Sequence, residues 1–278
     1  MQIKYNFTKD LIFKLVLQDV PEAAVELAKR YIPNMGDLVY GDDFIINNPM
    51  NIEGIELKNT EFDFKFSVSD KLFEYEMQNN KTKYNLKSRI LKYYGDLICS
   101  SFPKDIRYSH KKCYSLWFIS YNIFEDNKPI RTFSLKDEDE NTLYDYASIT
   151  IVEIAKFSEE EYNKDVWKKL FITNDIDSLK GDEVMDKVVK KMWDCNSEEA
   201  IAEKLRAEQE WLRGYNSDIE ASKAEGIAIG EAKGKAEGKA EGKTEANLET
   251  AKKLLSLGVD KTIISQSTGL SIEEINKL

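Results

Sequence analysis

Residues 61–78 carry the pattern that most restricts how this chain can fold, because apolar and polar side chains alternate there in two successive stretches. Alternation with a period of two is typical of β-strands that bury one face. A turn at Ser69-Asp70 places each apolar residue of the first stretch opposite an apolar residue of the second. The expected pairs are Phe62 with Met77, Phe64 with Tyr75 and Phe66 with Phe73. The segment therefore predicts an antiparallel hairpin.

The polar face of the same hairpin holds an unusual pair of acids. The register places Lys65 opposite Glu74, which predicts an ion pair, and it places Asp63 opposite Glu76. Directly opposed like charges destabilise a sheet, but two adjacent carboxylates can bind a hard divalent cation such as Mg²⁺. Gln78 shares a face with Glu76 and can supply a carbonyl or orient a water. We therefore expect a metal site here, the alternative being a solvated polar face.

Composition excludes several other kinds of chemistry. The one histidine, His110, cannot build a histidine-rich zinc site or a catalytic triad with a histidine base, and we expect it to be a surface residue. The cysteines, Cys99, Cys113 and Cys195, are too widely spaced for a disulfide framework, which favours a reducing cytoplasm. The sequence has no signal-peptide pattern and no apolar run of about 18 residues, so we expect no membrane segment.

Positive charge is concentrated just after the hairpin, although the net charge of the chain is −10. Residues 79–114 contain nine lysines and arginines and two aspartates. The four basic residues nearest the acidic pair are Lys81, Lys83, Lys87 and Arg89. We expect them to contact the phosphates of DNA, the alternative being a solvated helix face. No base-reading motif is evident, so we expect low sequence specificity.

The elements around the hairpin predict an α/β domain over residues 1–157. The expected elements are a helix over 8–31 with a break at Pro21, a short strand at 52–57, a helix over 81–101, and strands at 114–124 and 148–155. Residues 158–213 are charged and helical in period, and they predict a helical extension.

Glycine recurs at every fourth position in the predicted helix or linker of residues 214–246. Each glycine costs a helix roughly 1 kcal/mol relative to alanine, so the stripe predicts either close packing of two helices in a homodimer or a solvated linker. Residues 247–278 predict three short helices, with caps at Gly258, Gly269 and Ser271. This small helix-turn-helix-like tail is either a DNA-reading or an interaction module.

The segment Asp63…Tyr75-Glu76-Met77-Gln78 resembles the signature of PD-(D/E)XK nucleases, with Gln78 at the usual lysine position. It is most similar to the Rpn-type recombination-promoting nuclease/transposase family. Further blocks that resemble this family in order along the chain are Thr8–Lys14, Arg89-x-x-x-Tyr93, Tyr114–Phe124, Ile149–Phe157 and the glycine repeat.

The resemblance implies a restriction-endonuclease-like αβββαβ core with a helical C-terminal extension. It implies a Mg²⁺-dependent (or Mn²⁺-dependent) DNA endonuclease that acts in recombination or transposition, with Asp63, Glu76 and Gln78 as catalytic residues. Asp63 and Glu76 would be the metal ligands, and Asp10 is a further candidate ligand, the alternative being an acid favoured by a helix dipole. The expected partners are DNA and a second copy through the C-terminal helices. The rivals are a catalytically silent DNA-binding or regulatory protein that self-associates, and an interaction protein whose sheet is only a scaffold.

Overall fold

The computed structural model describes residues 1–48, 63–81, 85–102, 111–143 and 147–278. The predicted strand at 52–57, Lys83 and His110 lie outside these residues. The chain divides into two compact units, Met1–Leu205 and Arg206–Leu278. Residues 158–205 therefore pack within the first unit, while the four-segment organisation proposed from the sequence stays a prediction.

The described strands of the first unit form one mixed sheet of six strands in the order β1-β2-β3-β4-β6-β5. The strands are β1 (Ile45–Ile46), β2 (Phe64–Val68), β3 (Lys71–Gln78), β4 (Lys112–Ile119), β5 (Ile130–Phe133) and β6 (Ala147–Glu153). Strands β1, β2 and β3 are antiparallel, β4 and β6 run parallel to β3, and β5 is antiparallel to β6. With helices α1 (Asp10–Asp19), α2 (Pro21–Tyr31) and α3 (Leu86–Ser101), this order confirms the αβββαβ core.

The hairpin of β2 and β3 has the predicted register. Phe64 pairs with Tyr75, and Phe66 pairs with Phe73. Ser69 takes a left-handed conformation in the turn (φ 53°), and its backbone N–H donates to Asp43 Oδ2 at 2.7 Å. This bond holds a conformation that non-glycine residues rarely adopt. The expected Phe62–Met77 pair lies outside the described residues because Phe62 does.

The predicted ion pair between Lys65 and Glu74 is wrong, although the two residues are register partners. The Lys65 ammonium donates instead to Ser100 Oγ of α3 at 2.7 Å. Glu74 is completely buried beneath α3. A long, flexible lysine side chain keeps its charge close to water, and it therefore does not follow Glu74 into the interior.

Helices cover both faces of the sheet. One face packs on α1 and α2, and the Tyr75 hydroxyl ties β3 to α2 by donating to Ala24 O at 2.7 Å. On the other face, Leu86 and Ile90 of α3 pack against Trp117 of β4. Strand β4 is thus buried on both sides, as its nearly continuous apolar sequence predicts. It ends at Ile119, earlier than expected.

Further α-helices among the described residues of the first unit are α4 (Glu159–Lys164), α5 (Val166–Leu170) and α6 (Glu183–Ser197). Helix α6 contributes Met185, Val188 and Met192 to the same core as α1 and α2. The expected break between α1 and α2 is present: Pro21 is the first residue of α2, where its missing N–H costs nothing.

The second unit contains most of the long helix α7 (Glu199–Ser256), followed by α8 (Lys261–Thr268) and α9 (Ile272–Ile275). Its core is Ala251, Ile264, Leu270 and Ile275. Gly258 and Gly269 have positive φ values of 77° and 74°, and Ser271 forms a capping box with Glu274, so the predicted caps and the last two short helices are confirmed. The first of the three predicted short helices is instead the end of the 58-residue helix α7. Among the described helices, none is both long enough and apolar enough to span a membrane.

Candidate metal centre

Asp63 and Glu76 face each other at the open end of the hairpin and are held by reciprocal hydrogen bonds. The backbone N–H of Asp63 donates to Glu76 Oε1 at 2.8 Å, and the backbone N–H of Met77 donates to Asp63 Oδ2 at 2.8 Å. The Glu76 side chain is only 2% exposed and that of Asp63 is 14% exposed. The fold therefore brings the two carboxylates together, as the register predicts.

Lys14 of α1 completes the Asp63 side of the site. Its ammonium lies 3.0 Å from Asp63 Oδ1 and 3.0 Å from Asp10 Oδ2, and Lys14 is buried. Burial lowers the pKa of Lys14, but the Asp63 and Asp10 carboxylates raise it to a net value above the ordinary one, so the side chain stays charged. No role for Lys14 follows from the sequence pattern alone. The available signal was a lysine four residues after Asp10, on a helix whose neighbouring positions are apolar.

Arg89 of α3 completes the Glu76 side. One terminal nitrogen donates to Gln78 Oε1 at 2.8 Å and the other donates to Glu76 Oε2 at 3.1 Å. The guanidinium also lies over the rings of Tyr93 and Trp117, at 4.9 and 5.6 Å from their centroids. Arg89 therefore contacts Glu76 and Gln78 directly, a position that the sequence did not predict; its predicted contact with DNA phosphates stays a prediction.

The centre concentrates negative charge in a buried place. Burial raises the pKa of Glu76 well above its usual range, and the carboxylates of Asp63 and Glu74 raise it further. Burial also raises the pKa of Glu74, to about 8. Lys14 and Arg89 offset part of this repulsion, and a divalent cation would offset more of it.

The donor atoms fit a hard divalent cation. One oxygen of each carboxylate accepts a backbone N–H, whereas Asp63 Oδ1 and Glu76 Oε2 face the cationic side chains of Lys14 and Arg89. No group of three or more His, Cys, Asp or Glu residues among the described residues has metal-site geometry. Two carboxylates suffice for Mg²⁺, which keeps several waters and takes the rest of its ligands from substrate phosphate.

Asp10 is linked to Asp63 through the Lys14 ammonium, and its side chain is 40% exposed. The structure thus places it at the edge of the centre. Of the other candidates for phosphate contact, Lys81 is exposed and Lys87 lies with its ammonium 4.7 Å from the centroid of the Phe124 ring. Both follow Gln78 on the chain and lie on the α3 side of the site.

The αβββαβ core, with an acid just before the second strand and a glutamate on the third, is the arrangement of the PD-(D/E)XK nuclease class, with Gln78 in place of the usual lysine. The family model for the PD-(D/E)XK nuclease family transposase matches residues 43–226, which is more than half of the 278-residue chain, and the chain belongs to this family. No curated protein and no solved structure matches the chain significantly. Asp10 and Lys14 lie outside the matched region.

Proposed function

We propose that this chain is a metal-dependent DNA endonuclease of low sequence specificity that uses Mg²⁺ or Mn²⁺ bound by Asp63 and Glu76. The observation that carries the proposal is a pair of hydrogen bonds at the open end of the hairpin. The Asp63 N–H donates to Glu76 Oε1 and the Met77 N–H donates to Asp63 Oδ2, each at 2.8 Å, and together they hold the two carboxylates side by side. Membership of a nuclease family supports hydrolysis of a phosphodiester bond as the reaction.

Each residue of the centre has a separate role in the proposed reaction. Asp63 and Glu76 would hold the cation, which supplies an activated water and stabilises charge on the transferring phosphoryl group. Lys14 fixes the orientation of Asp63, while Asp10 holds Lys14. Gln78 contributes its amide, whose Nε2 donates to Asn80 O at 2.6 Å. The exposed lysines Lys81 and Lys87, with Lys83, would contact phosphates on either side of the cut.

A plasmid-nicking assay with Mg²⁺ or Mn²⁺, and with EDTA as the blank, tests the proposal. Asp63→Asn and Glu76→Gln keep the size of each side chain and should abolish cleavage. Asp96→Asn is the matched control, since Asp96 is exposed and pairs with Lys92 on the outer face of α3. Cleavage by both site variants at the wild-type rate would remove Asp63 and Glu76 from the mechanism.

A second candidate is a DNA-binding protein that does not cut. It is favoured by the cationic contacts that Lys14 and Arg89 already make to the two carboxylates. This reading predicts no nicking with any divalent ion, together with salt-sensitive DNA binding that Lys81→Glu and Lys87→Glu abolish. Measuring DNA binding by fluorescence anisotropy in parallel with nicking separates the two candidates.

We also propose that the C-terminal helical region forms a homo-oligomer and that the protein acts in the cytoplasm. A Cβ placed on Gly230 or Gly234 of α7 would meet nothing within 4 Å in the described part of the chain, so these glycines leave room for a partner helix. Sedimentation of the full chain should show a dimer that Gly230→Gln/Gly234→Gln dissociates and that Lys235→Gln leaves intact. A monomer of unchanged mass in all three proteins would exclude this interface.

A further inference from the structure

The centre has an uncharged residue, Gln78, where the general PD-(D/E)XK signature has a lysine. A lysine two residues after the second acid would place positive charge beside the scissile phosphate, and Gln78 cannot do so. Two cationic side chains reach the carboxylates among the described residues, Lys14 at Asp63 and Arg89 at Glu76. Arg89 is the one that also contacts Gln78.

The contacts of Arg89 fix both its position and its plane. The guanidinium forks across Gln78 Oε1 and Glu76 Oε2, at 2.8 and 3.1 Å, and it lies over the ring of Trp117, which is fully buried. A planar fork held at two points and against a ring loses little further freedom when it binds a phosphate. Arg89 is therefore oriented before any substrate arrives.

Gln78 suits this arrangement better than a lysine would. Its Nε2 donates to Asn80 O at 2.6 Å, which turns its carbonyl oxygen toward Arg89. A lysine at position 78 would bring an ammonium against the guanidinium, and like charges at such a distance repel strongly in a partly buried site. Gln78 and Arg89 are thus complementary, one as the fixed acceptor and the other as the charge.

Exposure separates Arg89 from Lys14. The Lys14 side chain is 9% exposed, and its ammonium is enclosed by Asp10 and Asp63. The Arg89 side chain is 34% exposed, so it can reach a bound phosphate without leaving its support. A guanidinium also stays protonated at every pH at which a protein is folded, so it needs no proton transfer to act.

We infer that Arg89 is the catalytic cation of this centre and that Gln78 is the positioning residue that orients it. The inference rests on the proposed nuclease function. Arg89 donates hydrogen bonds to the non-bridging oxygens of the scissile phosphate, where negative charge grows during hydrolysis. The charge that a lysine on β3 would carry is supplied from α3 instead.

Exchange of the two residues tests the inference. At saturating protein, Arg89→Gln should lower the single-turnover cleavage rate ~10²–10³-fold, which is the loss expected when one hydrogen-bond donor to a developing charge is removed. Its affinity for DNA, measured in EDTA, should change less than ~3-fold. Arg89→Lys and Gln78→Lys should each lower the rate ~10-fold, since a lysine cannot fork and a second cation displaces the first. The double variant Gln78→Lys/Arg89→Gln should cleave DNA at a rate within ~10-fold of the wild-type rate, because it again has one cation beside the phosphate. Lys92→Gln on the outer face of α3 is the control.

Mn²⁺ titration without DNA supplies a readout that does not depend on cleavage. Removing a positive charge beside Glu76 should tighten Mn²⁺ binding ~3–10-fold in Arg89→Gln, and the double exchange should return it to the wild-type value. If Arg89→Gln does not fold, Arg89→Lys and Gln78→Lys decide the question by their rates.

Three outcomes would overturn the inference. The first is cleavage by Arg89→Gln within ~3-fold of wild type, which lies below the loss of a single donor. The second is a double exchange as inactive as Arg89→Gln although it is folded. The third is a rate loss in Arg89→Gln that is matched by an equal loss of DNA affinity. A wild-type protein that cuts no DNA overturns the proposed function itself, and this inference with it.

Discussion

Two buried glutamates lie near the carboxyl ends of parallel strands in the same sheet, Glu76 on β3 and Glu153 on β6. Glu153 Oε1 accepts the backbone N–H groups of Ile123 and Phe124, at 2.7 and 3.1 Å, and its Oε2 lies 2.7 Å from Lys156 Nζ. Lys156 is itself buried.

The neighbours of Glu76 are different. Two other carboxylates surround it, those of Asp63 and Glu74, and burial together with these neighbours raises the pKa of Glu76. The Glu153 carboxylate is paired with the Lys156 ammonium, and its hydrogen bonds to Ile123 and Phe124 hold the loop after β4 in place. At the Glu76 site, three carboxyl groups face two cations, Lys14 and Arg89, so burial favours the protonated forms of Glu76 and Glu74 in the absence of a further cation. The balance of charge around a buried acid, and not burial itself, therefore distinguishes a binding site from a structural ion pair.

The largest expected difference between the two glutamates is in how their substitution affects the rate of DNA cleavage. Glu76→Gln should lower the rate of DNA nicking on the order of 10³-fold, because it removes a ligand of the cation that stabilises the transition state. Glu153→Gln should retain nicking within ~3-fold at a temperature where it is folded, since Glu153 contacts no residue of the centre. Plasmid nicking at 25 °C measures both, and equal losses would end the distinction.

Substitution of Glu153 should lower the stability of the protein more than substitution of Glu76 does. Glu153→Gln leaves the buried Lys156 without its closest carboxylate and should lower the free energy of unfolding by about 3 kcal/mol. Glu76→Gln removes an acid whose charge burial disfavours, and it should change stability by less than about 1 kcal/mol. Urea unfolding followed by circular dichroism gives both values. A large loss in Glu76→Gln with none in Glu153→Gln would reverse the assignment.

Mn²⁺ should distinguish Glu76 from Glu153 by its effect on the stability of the folded state, without any DNA. Mn²⁺ at 100 times its dissociation constant should stabilise the wild-type protein by about 2.7 kcal/mol. The same addition should do nothing for Glu76→Gln and should stabilise Glu153→Gln as much as wild type. Thermal unfolding with and without Mn²⁺ gives the shift, and a shift that persists in Glu76→Gln places the metal elsewhere.

A pH dependence of stability, caused by Glu74, tests the electrostatics beside Glu76 without metal or DNA. Its folded pKa of about 8 lies above the ordinary value of 4.5, so the folded state binds its proton more tightly than the unfolded state. That stabilisation is complete below pH 4.5 and is lost as the pH rises through 8. In EDTA, wild-type stability should fall relative to Glu74→Gln by up to ~1.4 kcal/mol per pH unit in this window. A constant difference from pH 5 to pH 8 would contradict the shift.

The sequence was sufficient where local periodicity determines the contact. The pairing of Phe66 with Phe73, and with it the meeting of Asp63 and Glu76, follows from alternation and one turn position. The break at Pro21 and the caps of α8 and α9 are local in the same sense. These features need no knowledge of how distant segments pack.

The rest depends on packing between distant segments. Lys14 reaches Asp63 only because α1 lies over the hairpin, and Arg89 turns into the centre because Trp117 of β4 lies beneath it. The predicted Lys65–Glu74 ion pair does not form for the same reason, because α3 buries Glu74 and its Ser100 accepts a hydrogen bond from Lys65. Helical periodicity identifies the buried face of α3 but does not say which strand residues it meets.

The two hydrogen bonds that hold Asp63 and Glu76 at the open end of the hairpin also have an entropic consequence. Each carboxylate has one oxygen held by a backbone N–H of the opposite strand, so the rotamers of Asp63 and Glu76 are restricted when the hairpin folds. Restricting such a side chain at the moment of binding costs roughly 0.5–1.5 kcal/mol each. Here that loss of freedom belongs to folding, and an arriving cation finds its two ligands already in place.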